Sequence, residues 1–283
     1  MGFGSGIWNS GFLALTNCTF ATNTAQGGNG GATPGGLTFP GHGGNGEGVA
    51  LYNSGQSIVV SCTVASNNAS GGAAGTGGPA LRGGAYGGGI RTSTGMVTVG
   101  NSIIANNAGS ETPDVSGDFT SQGYNLIGTT NGSSGFGAPF DQTGRTNNPI
   151  NPQLGPLRDN GGPTMSLALP ASSPAVDQGN SFGETGDQRG APRPSDFPFL
   201  SNTADAADIG AYEVSAPLLS ISQATSNVLL SWSTFNPTYS LQSTTNLGGS
   251  NWVSIVGPTV VGNRFFITNP LSIGSKFFRL CSP

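Results

Sequence analysis

The chain is predicted to be all-β: a right-handed parallel β-helix followed by a small C-terminal β-sandwich. Three observations carry this expectation. One segment is written three times in the first 110 residues. The composition has 49 glycines and only 8% charged side chains, and the texture of the sequence changes after Leu218.

The repeated segment is clearest as GVALYNSGQSIVVSCTVASNNA, Gly48 to Ala69. Laid over Gly4 to Ala25 with a shift of 44 residues, it matches Asn9 to Asn53, Gly11 to Gly55, Cys18 to Cys62, Asn23 to Asn67 and Ala25 to Ala69. A third copy runs from Gly87 to Ala108. Each copy consists of short β-branched or apolar runs broken at Asn-Ser-Gly, Thr-Asn or Asn-Asn, where the chain must turn. That is the signature of one coil in a repeat architecture.

Alternation puts Ile58, Val60, Cys62 and Val64 on one face, with Ala14, Thr16, Cys18 and Phe20 as their equivalents. One such face cannot bury itself. Parallel coils at the inter-strand spacing of about 4.8 Å place each residue over its equivalent, so apolar columns fill the interior and turn asparagines form hydrogen-bonded ladders. The right hand follows from the chirality of parallel crossovers. Cys18 and Cys62, stacked and aimed the same way, read as a small core column rather than a bridge.

Composition narrows the function. Nine basic against thirteen acidic residues leave a net charge of −4 with no Lys/Arg cluster, which excludes a nucleic-acid partner that needs phosphates neutralised. No run of 18 apolar residues exists, so no membrane span is expected. Met1 leads at once into GFGSGIWNSG, already inside the first coil. The chain therefore reads as cut from a longer one, and no secretory signal stands at its start.

Two glycine-rich excursions leave the coils at one corner, Ala25 to Gly48 and Ala69 to Gly89. Loops of this size are functional or merely tolerated insertions. Leu37, Phe39, His42 and Tyr86 are their large side chains, and with Arg91 on the following coil the set Phe39, His42, Tyr86 and Arg91 is the candidate binding lip. The excursions lack the Lys-Ser/Thr of a phosphate cradle.

After the third coil come NSIIANN and PDVSGD with GYNLIG, then LRDNGGPT with LALPASSPAVDQG, then GDQRGAPRP, and finally ADIGAYE at Ala207 to Glu213. This ordered set resembles the bacterial choice-of-anchor Q domain proteins, which are related in repeat style to polymorphic outer-membrane proteins. The resemblance implies an extracellular or cell-surface bacterial protein with a parallel β-helix, and no known reaction.

From Leu218 onward, LLSISQATSNVLLSWS, TYSLQSTTNL, NWVSIVGPTVV, NRFFITNP and KFFRL are short alternating strands, read as a sandwich with Trp232, Tyr239, Leu241, Trp252, Phe266 and Phe278 in its core. This part resembles fibronectin-III-like modules at the ends of secreted bacterial proteins. The expected organisation is coils over 1–128, a closing segment over 129–214 and the sandwich over 215–283.

Chemistry has little to work with. Glu47 is the only acid in residues 1–110, beside Arg82 and Arg91. Asp114 and Asp118 are spaced like oxygen ligands of Ca²⁺ and equally like turn caps. Asp187, Arg189, Arg193, Asp208 and Glu213 read as an ion-pair cluster capping the end of the coils, with Ile209 and Tyr212 as apolar cover. The sole histidine, His42, has no triad partners. No catalytic residue and no cofactor are assigned. The sequence favours a structural or adhesive surface protein that binds a polysaccharide or another cell-surface component. The alternatives are a pectate-lyase-like lyase or glycoside hydrolase, and a self-associating filament subunit.

Overall fold

The repeated segment bends where its backbone enters the left-handed region. In the computed structural model, which describes residues 2–3, 6–33, 39–197, 200–215, 217–234, 239–262, 264–271 and 274–281, Asn17, Ser61 and Asn101 form one corner with φ of 51°, 48° and 46°. Thr22, Ser66 and Asn106 form a second, at 61°, 60° and 60°. Asn and Ser are short polar residues, and Asn is the non-glycine residue that tolerates this conformation best. Between corners the runs are extended, and each pairs in parallel with its equivalent in the next copy.

The register runs through three sheets. Ile7–Asn9 pairs with Leu51–Asn53, which pairs with Ile90–Thr92. Phe12–Thr16, Gln56–Val60 and Met96–Gly100 form the second sheet, and Thr19–Ala21, Thr63–Ala65 and Ile103–Ala105 the third. The pairing does not stop with the recognisable repeats. Val115–Ser121 continues the first two sheets, and Leu126–Ile127 then Gln142–Thr143 continue the third. Ile103 pairs with Leu126, about half the spacing of the earlier copies, because the glycine-rich excursion is gone. The parallel stack therefore extends past 128.

All three sheets contribute to one apolar cluster, including Leu51, Val59, Val64, Ile90, Val97, Ile104, Val115, Phe119 and Ile127. Each buried aliphatic side chain there contributes about 1.5–3 kcal/mol. One column of close contacts needs glycine: a Cβ on Gly95 would fall 1.7 Å from the Gly55 carbonyl oxygen, and one on Gly55 2.2 Å from that of Gly11.

The inward face differs from the expectation. Ser57 and Val59 are buried while Ile58 is 37% exposed. Period-two alternation holds within a strand but not across the left-handed corner at Ser61, which resets the phase so that Cys62 and Val64 point inward. Cys18 and Cys62 are free thiols, each donating to the carbonyl two residues back.

The excursions pack as extended segments joined every third residue. Gly27, Gly30 and Thr33 donate to the carbonyls of Ser70, Ala73 and Thr76, and Gly72 and Gly75 donate to Gly44 and Gly41. A period of three with no bonds inside a segment is the spacing that three residues per turn produces in polyproline-II segments. Its close packing explains the glycines, since a Cβ on Gly27, Gly71 or Gly83 would fall 1.8–1.9 Å from a neighbouring carbonyl oxygen.

Residues Met1–Arg158 and Met165–Val214 form one compact unit, and Asp159–Thr164 with Ser215–Pro283 a second. In the second, Ser220–Ala224, Asn227–Ser233, Arg264–Pro270 and Thr259–Val261 make one antiparallel sheet. Val253–Ile255, Ser240–Thr244 and Phe277–Cys281 make another. Leu230, Trp232, Leu241 and Ile267 are its core, joined by Phe265 and Phe278. Phe265 and Ile267 flank Phe266 and take the inward places expected for it, while Trp252 and Tyr239 are only half-buried. The fold is all-β: among the described residues no helix occurs, and none is long and apolar enough to cross a membrane.

Candidate functional site

The charged residues expected to act together do so, but in a different place. Asp187, Arg189, Arg193, Asp208 and Glu213 are all buried. Arg193 Nε donates to Glu213 Oε2 at 2.8 Å, its Nη2 to the Gly210 carbonyl at 2.7 Å and its Nη1 to Asn17 Oδ1 at 3.0 Å. Arg189 pairs with Asp187 at 2.7 Å, donates to the Glu213 carbonyl and lies 3.6 Å over the Tyr212 ring. Asp208 is held by backbone donors. It accepts from the backbone N–H groups of Asp177 and Val214.

The partners locate this segment. Asn17 donates to the Gly186 carbonyl and Thr19 to Gln188, while Ala211 donates to Thr63 Oγ1 and Gly210 to the Asn101 carbonyl. The cluster thus runs sideways across all three copies along the corner column rather than closing the end of the stack. Ile209 and Tyr212 supply apolar cover as expected, against Ile103, Ala105 and Leu126. Burial pushes Glu213 up to about 7 although Arg193 and two backbone donors oppose it. Burial and the neighbouring Glu213 charge also push Asp208 well up.

Asp114 and Asp118 are separated by their surroundings. Asn23, Asn67 and Asn107 form a ladder in which each side chain donates to the next oxygen and each receives the backbone N–H of the one before. Asp114 ends it, its Oδ1 accepting from Asn107 N and Nδ2 and its Oδ2 from Thr129 Oγ1. A carboxylate suits a terminus because it only accepts. Burial is the main cause of its raised pKa. Asp118 is exposed and accepts from Ser134 Oγ at 2.6 Å. Among the described residues no three His, Cys, Asp or Glu side chains gather as metal ligands.

A second ladder ends the same way. Cys62 N donates to Ser102 Oγ, Ser102 N to Asn125 Oδ1, and Asn125 N and Nδ2 to Asp141 Oδ1.

The proposed lip divides. Arg91 sits 4.9 Å over the Tyr86 ring and its Nε lies 3.0 Å from Glu47 Oε2, close enough to pair but not aligned as a hydrogen bond. Tyr86 also lines a cavity of about 410 Å³ with Arg82, Ser110 and Glu111. His42 accepts the Leu81 N–H at Nδ1, which leaves the proton of the neutral ring on Nε2. Phe39 is 84% exposed and does not line this cavity. Leu37 lies outside the described residues.

A third feature has no motif that announces it. Tyr124 stacks on Phe140 with centroids 5.1 Å apart and meets Phe182 edge-on at 6.1 Å. Tyr124 and Phe140 follow Asn17, Ser61 and Asn101 in the corner column, since Asn101 N donates to the Gly123 carbonyl and Tyr124 N to that of Pro139. Only the GYNLIG motif touches this set, and it marks a strand rather than a surface.

No family model, curated protein or solved structure matches the chain. Function rests on the geometry.

Proposed function

We propose that this is a secreted or cell-surface bacterial protein of structural or adhesive role, a right-handed parallel β-helix followed by a small β-sandwich, which binds a polysaccharide without transforming it. The observation that carries this reading is where the carboxylates are spent. Asp114 and Asp141 terminate ladders, Asp187 and Glu213 pair with buried arginines, and Asp208 holds backbone N–H groups. Hydrolysis or elimination of a glycan needs carboxylates that reach the substrate; Asp114, Asp187, Asp208 and Glu213 are buried, and half-buried Asp141 is taken up by N–H groups of Asn125 and Ala138. With charged side chains at only 8% of the chain, most of its polar groups are hydroxyls and amides, which suit hydrogen bonding to sugars. The ordered motifs shared with choice-of-anchor Q proteins support the location.

One observation favours an enzyme of the pectate-lyase-like type. Glu47, Arg91 and Tyr86 stand together next to the cavity that holds Arg82 and Glu111, an acid and a base at an accessible place. Affinity electrophoresis in gels cast with neutral and acidic polysaccharides tests the binding role. Retardation by at least one neutral polysaccharide is expected. Retardation by none of the polysaccharides overturns the binding role.

A further inference from the structure

We propose that Tyr124, Phe140 and Phe182, with the open cavity beside Phe140, form the sugar-binding site, and that its ligand is an uncharged oligosaccharide. This rests on the polysaccharide-binding role proposed above and assigns it a place and a ligand class.

The first observation is conformational. Tyr124, Phe140 and Phe182 all lie in the left-handed region, with φ of 58°, 64° and 50°. The earlier corner residues are Asn17, Ser61 and Asn101, the small polar types expected there. Aromatic residues at these places oppose stability, and three that meet point to a use other than folding. Room is made for them: Gly100 has no side chain, and a Cβ there would lie 3.1 Å from Phe182 Cε2.

The second observation is exposure. Phe140 is 53% and Phe182 44% exposed, so the rings present faces and edges to solvent while Tyr124 holds them together. A pyranose ring offers a face of C–H groups, and the negative face of an aromatic ring attracts these weakly polarised hydrogens.

The third is the cavity, of about 580 Å³, lined by Phe140 together with Asp141, Gln142, Ser172, Gln178 and Thr203. Its volume falls in the range of roughly 300–1,000 Å³ usual for small-ligand sites. Apart from Asp141 its polar side chains are hydroxyls and amides, and among the described residues no donor reaches the Gln142 carbonyl oxygen while its Nε2 donates to the Pro174 carbonyl. Among the described residues Asp141 is the one charged lining residue, and it already accepts three N–H bonds, two from Asn125 and one from Ala138. The lining offers a uronate no cation and a cationic ligand no free carboxylate. It fits a ligand with an apolar face and a rim of hydroxyls.

Phe140→Asn and Phe182→Asn test this, because asparagine relieves the left-handed backbone while deleting the ring. Binding is read by affinity electrophoresis and isothermal titration with β-glucan, mannan and galactan, against pectin and alginate as acidic controls. The expected result is at least about tenfold weaker binding to the neutral polysaccharide with the melting temperature unchanged or raised by about 1–3 °C. A ring kept for packing behaves in the opposite way: melting temperature falls and affinity is unchanged, which overturns the proposal. Neutral-glycan binding that survives both substitutions leaves the adhesive role standing and moves the site elsewhere. Preference for pectin or alginate over the neutral polymers refutes the assigned ligand class, and no binding by the unmodified protein refutes both proposals.

Discussion

Replacing Arg193 by alanine is the sharpest perturbation of the first unit. Arg193 is 2% exposed, and its guanidinium joins Glu213, the Gly210 carbonyl and Asn17 of the first copy. Its removal leaves the Glu213 carboxylate buried with only the Asp208 and Ser195 N–H groups. Breaking one side of such a pair costs about 3–5 kcal/mol, whereas a surface pair is worth under about 1 kcal/mol. For a unit of this size, 1 kcal/mol moves the midpoint by about 2–4 °C, so a fall of roughly 6–20 °C is expected by calorimetry. The loss should shrink at pH 5, where Glu213 takes up a proton and no charge is stranded. A fall of under about 4 °C that is the same at pH 5 and pH 8 would show that the cluster does not bind the lateral segment to the copies.

Other consequences follow from the same contacts. Asp114, Asp208 and Glu213 all have folded-state pKa values above their ordinary ones, Glu213 at about 7. The folded state therefore holds protons that the unfolded chain has released, and stability falls as pH rises between the ordinary carboxylate range and about 7. The melting temperature of the first unit should be higher at pH 5 than at pH 8, and a rise with pH would contradict the assigned burial. Gly27→Ala should open the excursions to limited proteolysis, at a cost of about 1–3 kcal/mol for overpacking. Gly28→Ala, with nothing within 4 Å of the added Cβ, should behave as the unmodified protein. Asp114→Asn turns a ladder terminus that only accepts into one that also donates and should destabilise by about 1–3 kcal/mol. The drop should be equal with calcium or chelator present, and a calcium-dependent midpoint would restore a metal role to Asp114.

The parallel stacking was legible because Asn9, Asn53, Cys18, Cys62, Asn23 and Asn67 recur at one spacing and must turn or pack alike. The later layers were not. Once the glycine-rich excursions end, the spacing halves, and Val115–Ser121 and Gln142–Thr143 share little sequence with earlier copies although they pair with the growing edge. The wrong inward face at Ile58 came from carrying strand alternation through Ser61, a residue whose polarity gives no hint of φ 48°. The ion-pair cluster was visible as opposite charges recurring in two short motifs of a chain with few charges, but its lateral place depends on Asn17, Thr19 and Thr63, residues that look like ordinary turn and strand polarity. The aromatic corner was invisible for a related reason: Tyr124, Phe140 and Phe182 are far apart in the chain and meet only because layers stack at one corner.

The claim that the protein holds a glycan without transforming it is tested most directly by prolonged incubation with each polysaccharide that retards it. Products are followed by reducing ends and by the ultraviolet absorbance of unsaturated sugars. Binding with no product above the blank is predicted. Product above the blank would contradict the account, and its loss in a folded Glu47→Ala or a folded Asp187→Ala protein would place the active centre beside Tyr86 or in the lateral segment, respectively.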